Sequence, residues 1–129
     1  MKSDDYLIEI QARLVTSSVI AEIEAVVEEW ALVDQGYFRA RLRLNNGDFL
    51  EVAEYFVIVD EQVDTRRYRY QWMNAERTVL RCRWDNVEHF PNLPNFPHHV
   101  HADDQSAVPG RKLSILDLIG VLEEELSLK

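Results

Sequence analysis

Apolar residues recur at positions 6, 7, 10, 14 and 15, close to the 3.6-residue period of a helix. Ser3 or Asp4 offers a cap and Asp5 lies near the positive end of the dipole, so a helix is predicted over residues 4–16. Residues 19–31 read two ways. Ile20, Ile23, Val27 and Trp30 make a helical stripe, whereas Val19, Ala21, Ile23, Ala25 and Val27 against Glu22, Glu24 and Glu28 make a strand alternation. The strand is preferred, because β-branched residues dominate and the segment leads into a meander. Residues 37–44 alternate cleanly, with Phe38, Ala40, Leu42 and Leu44 on one face and Arg39, Arg41 and Arg43 on the other. Residues 49–59 form the next strand, residues 60–65 a polar loop, and residues 67–73 set Tyr68, Tyr70 and Trp72 against Arg67, Arg69 and Gln71. After a loop near residues 74–77, residues 78–84 alternate Leu80, Cys82 and Trp84 with Arg81 and Arg83. Residues 103–111 read as a polar loop. A C-terminal helix starts at Ser114, which with Asp117 approximates a capping box, and carries apolar residues at 115, 118, 119, 122 and 126.

Asn45-Asn46-Gly47-Asp48 is a hairpin turn whose length decides the register. A two-residue loop pairs Leu42 with Glu51. A three-residue loop with glycine as the bulge pairs Leu42 with Leu50, Ala40 with Val52 and Arg41 with Glu51. The second buries one coherent apolar set and is preferred. It also puts Glu54 opposite Phe38 on the apolar face, either as a buried acid that needs a partner or as a carboxylate at the sheet edge in water. The expected fold class is α+β: an antiparallel sheet meander of about five strands in a single domain, residues 1–129, with an N-terminal and a C-terminal helix packed on one face. The other face carries the arginines.

Composition narrows the classes. At 129 residues, 47% apolar and 29% charged, the chain is long enough for one core and ordinary for a globular protein. No apolar run reaches the ~18 residues of a membrane span, and the N-terminus lacks the apolar core of a signal peptide. The one cysteine, Cys82, excludes an internal disulfide and fits a reducing compartment, so a cytoplasmic location is expected. The net charge of −9 opposes binding of a polyanion by the molecule as a whole. The charge is uneven, however: between Arg66 and Arg83 there are six arginines against one acid, Glu76. A basic middle on an acidic molecule points to a local anion site. Arg67, Tyr68, Arg69, Tyr70, Arg81 and Asn86 are the candidate substrate-binding residues, although alternation on an ordinary exposed strand produces the same pattern.

All four histidines lie between His89 and His101, in a stretch that also holds Pro91, Pro94 and Pro97. The prolines exclude a helix or a central strand, so the segment is predicted to be a stiff, irregular arm leaving a strand end. Imidazole is the side chain whose proton moves near neutral pH and a common metal ligand. Three readings follow. In the first, His89, His98, His99 and His101 exchange protons with substrate and Arg83 or Arg69 stabilises the charge on phosphate, with Asp85 and Glu54 as further candidate catalytic acids and no metal needed. In the second, Asp85, His89, His99 and His101 hold zinc or a similar divalent metal, although no spacing matches a standard metal motif. In the third, the arm is a non-catalytic protein-interaction element.

Arg83-Trp-Asp-Asn-x-x-His89, followed by Phe96-Pro-His-His99 and His101, resembles the signature of the TumE family of toxin components from bacterial toxin–antitoxin pairs. Gly36-Tyr37, Arg41-x-x-Leu44-x-x-Gly47-x-x-Leu50-Glu51-x-x-Glu54-Tyr55 and Tyr68-Arg-Tyr70 are similar to it as well, so the likeness spans roughly residues 5–127. The chain departs at Val87-Glu88-His89-Phe90, where the family pattern has a proline-histidine pair, so the resemblance implies no second histidine beside His89. It implies a cognate antitoxin as partner. Because many small toxins are ribonucleases, the chemistry and this analogy together make a metal-independent endoribonuclease acting on RNA the first expectation. A metal-binding enzyme and an interaction module are the alternatives, and a homodimer is compatible with either.

Overall fold

The computed structural model describes residues 1–86, 99–101, 108–109 and 111–127, with the backbone alone for 99, 101, 108, 109 and 127. Helix α1 (Ser3–Thr16) is followed by strands β1 (Ile20–Ala31), β2 (Gln35–Leu44), β3 (Phe49–Val59), β4 (Gln62–Met73) and β5 (Leu80–Asp85). Short strands β6 (His99–His101) and β7 (Val108–Pro109) follow, and helix α2 (Ile115–Ser127) ends the chain. The sheet is antiparallel and its strands lie in chain order. The five long strands are the expected α+β meander, and the two short ones extend its far edge. Among the described residues no helix is long and apolar enough to cross a membrane.

Both helices cover one face. Phe38, Ala40 and Leu42 from β2, Leu50, Val52 and Phe56 from β3, and Tyr68, Tyr70 and Trp72 from β4 meet Tyr6, Ile10 and Leu14 of α1 and Ile115, Leu118, Ile119 and Leu122 of α2. Burying each large apolar side chain contributes roughly 1.5–3 kcal/mol, which is why the alternation of β2 and β3 settles which face turns inward. The turn at Gly47 closes as its residues predict: Leu44 N–H donates to Asp48 O at 2.8 Å, Gly47 N–H to Leu44 O at 3.0 Å, and Gly47 sits at φ 92°. Leu42 then pairs with Leu50, Ala40 with Val52 and Arg41 with Glu51. The capping box of α2 is also present, with Ser114 N–H on Asp117 Oδ2 and Asp117 N–H on Ser114 Oγ, each at 3.1 Å.

Four local expectations are corrected. The N-cap of α1 is Lys2, whose N–H donates to Asp5 Oδ2 at 3.0 Å, while the Ser3 hydroxyl is drawn away to Leu32 O. Residues 60–65 are not a loop. Asp60 and Glu61 both take positive φ, 51° and 64°, so a two-residue turn joins Val59 directly to Gln62 and β4 starts early. The histidine arm is not irregular throughout: His99–His101 pairs with β5, beyond the last proline of the run, and Val100 packs against the core. Within the polar loop of residues 103–111, Val108–Pro109 pairs with β6 at the sheet edge, where a missing N–H is tolerated. His89 and His98 lie outside the described residues.

Candidate functional site

On the face away from the helices, the register lines up three rows of residues, two positions apart along each strand. The first runs Trp30, Tyr37, Tyr55, Arg67. The second runs Glu28, Arg39, Ala53, Arg69, Asp85, His99. The third runs Arg41, Glu51, Gln71, Arg83, His101. Strand pairing therefore brings the backbone positions of His99 and His101 directly opposite Asp85 and Arg83. It brings Arg69 opposite Asp85 from the other side. Arg69 and Asp85 are joined by the pairing of β4 with β5, and His99 and His101 reach their positions only because β6 joins the sheet.

The charges are mostly committed. Glu51 accepts from Arg39 at 3.3 Å and Arg41 at 3.1 Å, and Glu24 holds Arg43 and Arg77 at 2.8 Å each. Arg66 pairs with Asp64, Arg81 with Asp48 and Arg83 with Asp85. Arg83 Nε stands 3.2 Å from Asp85 Oδ2 yet has no aligned hydrogen bond among the described residues, so the contact is one of charge rather than direction. Asp85 is only 3% exposed, which strengthens that attraction by excluding water. Of the arginines between Arg39 and Arg83, only Arg67 and Arg69 have no carboxylate partner among the described residues. Arg69 donates to Gln71 Oε1 at 3.2 Å, and the Arg67 guanidinium lies 5.2 Å from the centroid of the Tyr55 ring.

Other candidate residues are elsewhere. Tyr68 and Tyr70 are on the helix face, with their hydroxyls donating to Arg111 O at 2.9 Å and Leu113 O at 2.8 Å, and burial pushes both phenols up. Arg81 is the extra residue of a bulge where Trp72 pairs with Cys82 and Met73 with Leu80. Its side chain leaves the arginine rows for Asp48, which also accepts from the Trp72 indole at 2.9 Å. Asn86 clips β5 to β4, accepting from Tyr68 N–H at 3.0 Å and donating to Arg66 O at 2.8 Å. Glu54 is fully buried on the helix face, opposite Phe38 as the register requires. It accepts from Tyr6 at 3.0 Å, Thr65 at 2.7 Å and the Ile115 N–H at 2.8 Å, so it joins three elements and stands on the opposite side of the sheet from Arg69 and Arg83. Burial raises its pKa, partly offset by those three donors. Among the described residues no group of three or more His, Cys, Asp or Glu is placed to hold a metal. Of the four candidate ligands, Asp85 alone has a described side chain.

The first row borders a groove of about 900 Å³, floored by Ala53 and lined by Trp30, Tyr37, Tyr55, Arg67 and Arg69. Trp30 stacks near Tyr37 at 6.2 Å between ring centroids, and its indole N–H donates to Glu28 at 3.0 Å. Tyr55 is held by a 2.7 Å bond to Gln35. These aromatics were not among the sequence candidates. The signal was there, since Tyr37 and Tyr55 fall on the arginine side of the β2 and β3 alternation and Trp30 on the Glu28 side of β1, but the pairing of Trp30 with Tyr37 needed the turn that joins Ala31 to Gly36.

No curated protein and no solved structure matches the chain. A family model described as Toxin TumE matches residues 10–126. That match covers the whole sheet, the second half of α1 and α2 up to residue 126, including the strands that carry the arginine rows and β6, and the chain belongs to the TumE toxin family.

Proposed function

We propose that this toxin-family protein, whose partner is a cognate antitoxin, is a metal-independent endoribonuclease whose reacting groups lie where β4, β5 and β6 adjoin. The observation that supports this reading is the register: His99 opposite Asp85, His101 opposite Arg83, and Arg69 on the neighbouring strand. Opposite positions in an antiparallel pair have Cα atoms about 4.5–5.5 Å apart. Cleavage by attack of a 2′-hydroxyl needs a base for that proton, an acid for the leaving 5′-oxygen and a cation for the charge growing on phosphate. Histidines 99 and 101 would exchange the protons, with Arg83 and Arg69 as the cations. Asp85 keeps Arg83 at this place by charge.

The test is expression of the wild type and of His99→Ala, His101→Ala and Arg83→Gln, followed by growth and by cleavage of RNA in EDTA. Growth arrest and cleavage by the wild type, with losses of about a hundredfold or more in each histidine variant, are expected. Cleavage should follow a bell-shaped pH profile. Activity that vanishes in EDTA and returns with one divalent metal would transfer the site to metal chemistry. Full toxicity in the histidine variants would remove the histidines from the mechanism.

A further inference from the structure

The groove beside the first row has a composition that the proposed cleavage chemistry does not use. Three aromatic rings from three successive strands, Trp30, Tyr37 and Tyr55, form one side of it, and Ala53 leaves its floor low. Trp30 is 37% exposed, whereas Trp72 and Trp84 are each 9% exposed in the core, so Trp30 is the indole that meets solvent. Its ring edge is tied to Glu28 and the Tyr55 hydroxyl to Gln35. Trp30 stacks beside Tyr37 and the Arg67 guanidinium lies over the Tyr55 ring, an arrangement of cation and ring that a base and its phosphate can enter. Arg67 and Arg69, adjoining these rings, are the two sheet arginines with no carboxylate partner among the described residues. On a molecule of net charge −9, two guanidiniums without a carboxylate partner among the described residues, beside these rings and a Glu28 carboxylate that holds the Trp30 indole, favour a ligand carrying both negative charge and flat aromatic groups. A nucleic-acid strand carries both at every residue, whereas a peptide does so only where acidic and aromatic side chains alternate.

We propose that the groove is a nucleobase-stacking subsite for single-stranded RNA, in which Trp30, Tyr37 and Tyr55 take bases and Arg67 and Arg69 take the adjoining phosphates. Aromatic faces accept any base, so this subsite selects unpaired strand over duplex without reading sequence. Arg69 belongs both to this groove and to the row of Asp85 and His99. A strand stacked on the first row thus has its backbone led towards β5 and β6. The proposal rests on the reading of the protein as acting on RNA, and it is tested separately from cleavage.

The probe is a short fluorescein-labelled 2′-O-methyl oligoadenylate, which lacks the hydroxyl needed for cleavage, compared with an abasic oligomer of the same length and with duplex. Binding is read by anisotropy and by quenching of tryptophan fluorescence. The wild type is expected to bind the oligoadenylate about tenfold or more tightly than the abasic oligomer. Trp30→Phe should abolish the quench. Tyr55→Leu should weaken binding about tenfold. Thermal melts of each variant confirm that the sheet is intact. Equal affinity for the abasic and base-bearing oligomers, or unchanged affinity in Tyr55→Leu, overturns the proposal. So does displacement of the probe only by the cognate antitoxin together with no oligonucleotide preference, which would assign the groove to protein. Stacking-dependent binding by a protein that leaves RNA uncut upholds the subsite and sinks the cleavage reading. Cleavage with no stacking dependence does the reverse.

Discussion

A carboxylate buried on the helix face makes Glu54 the residue with most leverage on stability. Three donors from α1, β4 and the start of α2 converge on it, and desolvation still raises its pKa. The folded protein therefore keeps the Glu54 proton to higher pH than the unfolded chain does. Its contribution is greatest below the unfolded value of about 4.3 and declines as pH rises towards the folded value. Glu54→Gln should flatten that decline, measured as urea midpoints across mildly acidic to neutral pH. Glu54→Ala leaves three buried donors unsatisfied and should cost about 3 kcal/mol or more. Equal slopes for the wild type and Glu54→Gln would show that Glu54 ionises as it does in the unfolded chain.

Between elements, the contacts to test are the clamp joining the helices and the close approach of β2 to β3. Arg13 Nη1 donates to Glu123 Oε2 at 2.7 Å, and the Ser17 hydroxyl joins at 2.8 Å. The Arg13 bond holds the Glu123 carboxyl below its usual range, helped by Ser17. The sign is opposite to that of Glu54: this stabilisation is present above the unfolded pKa and is lost as pH falls through the folded one. Both groups are about a third exposed, so Glu123→Ala should cost only about 0.5–1 kcal/mol near neutrality and nothing in strong acid. Denaturant midpoints at the two pH values check this. At Gly36, an added Cβ would stand 2.5 Å from Phe56 Cζ and 3.0 Å from Trp30 O. Phe56 is fully buried and cannot swing aside, so Gly36→Ala should destabilise by about 1–3 kcal/mol, read as a fall in Tm.

Across the whole molecule the question is how a protein of net charge −9 attracts an anion. Most sheet arginines are neutralised by Glu24, Glu51, Asp48, Asp64 and Asp85, and only Arg67 and Arg69 have no carboxylate partner among the described residues. With two phosphate contacts on single strand, log affinity should fall with log salt at a slope of about −1.4, far shallower than for a groove binder. Arg67→Glu with Arg69→Glu should abolish binding of the oligoadenylate, and Glu124→Gln with Glu125→Gln on α2 should barely alter it. A steep slope, or equal effects from the two double variants, would show that the general field rather than this pair of guanidiniums governs binding.

Local pattern was enough for several features, because they depend on neighbours a few residues away. The β2 alternation, the glycine turn at Gly47, the register that buries Glu54 opposite Phe38 and the Ser114 capping box each follow from short-range geometry and from the gain in burying one consistent face. What the chain could not disclose were events that need distant partners. The two-residue Asp60-Glu61 turn hides among residues that seldom take positive φ. The Arg81 bulge depends on how β5 meets β4, and it swings that guanidinium to Asp48. Tyr68 and Tyr70 share a strand with Arg67 and Arg69, so sequence adjacency joins what the pleat separates, the phenols to the core and the guanidiniums to the opposite face. Trp30 gains its place beside Tyr37 from the turn that pairs Ala31 with Gly36, which the sequence did not mark. The pairing of His99 and His101 with Asp85 and Arg83 likewise arises from the sheet alone, since strand register is set by the whole face it must bury rather than by the residues that end up side by side.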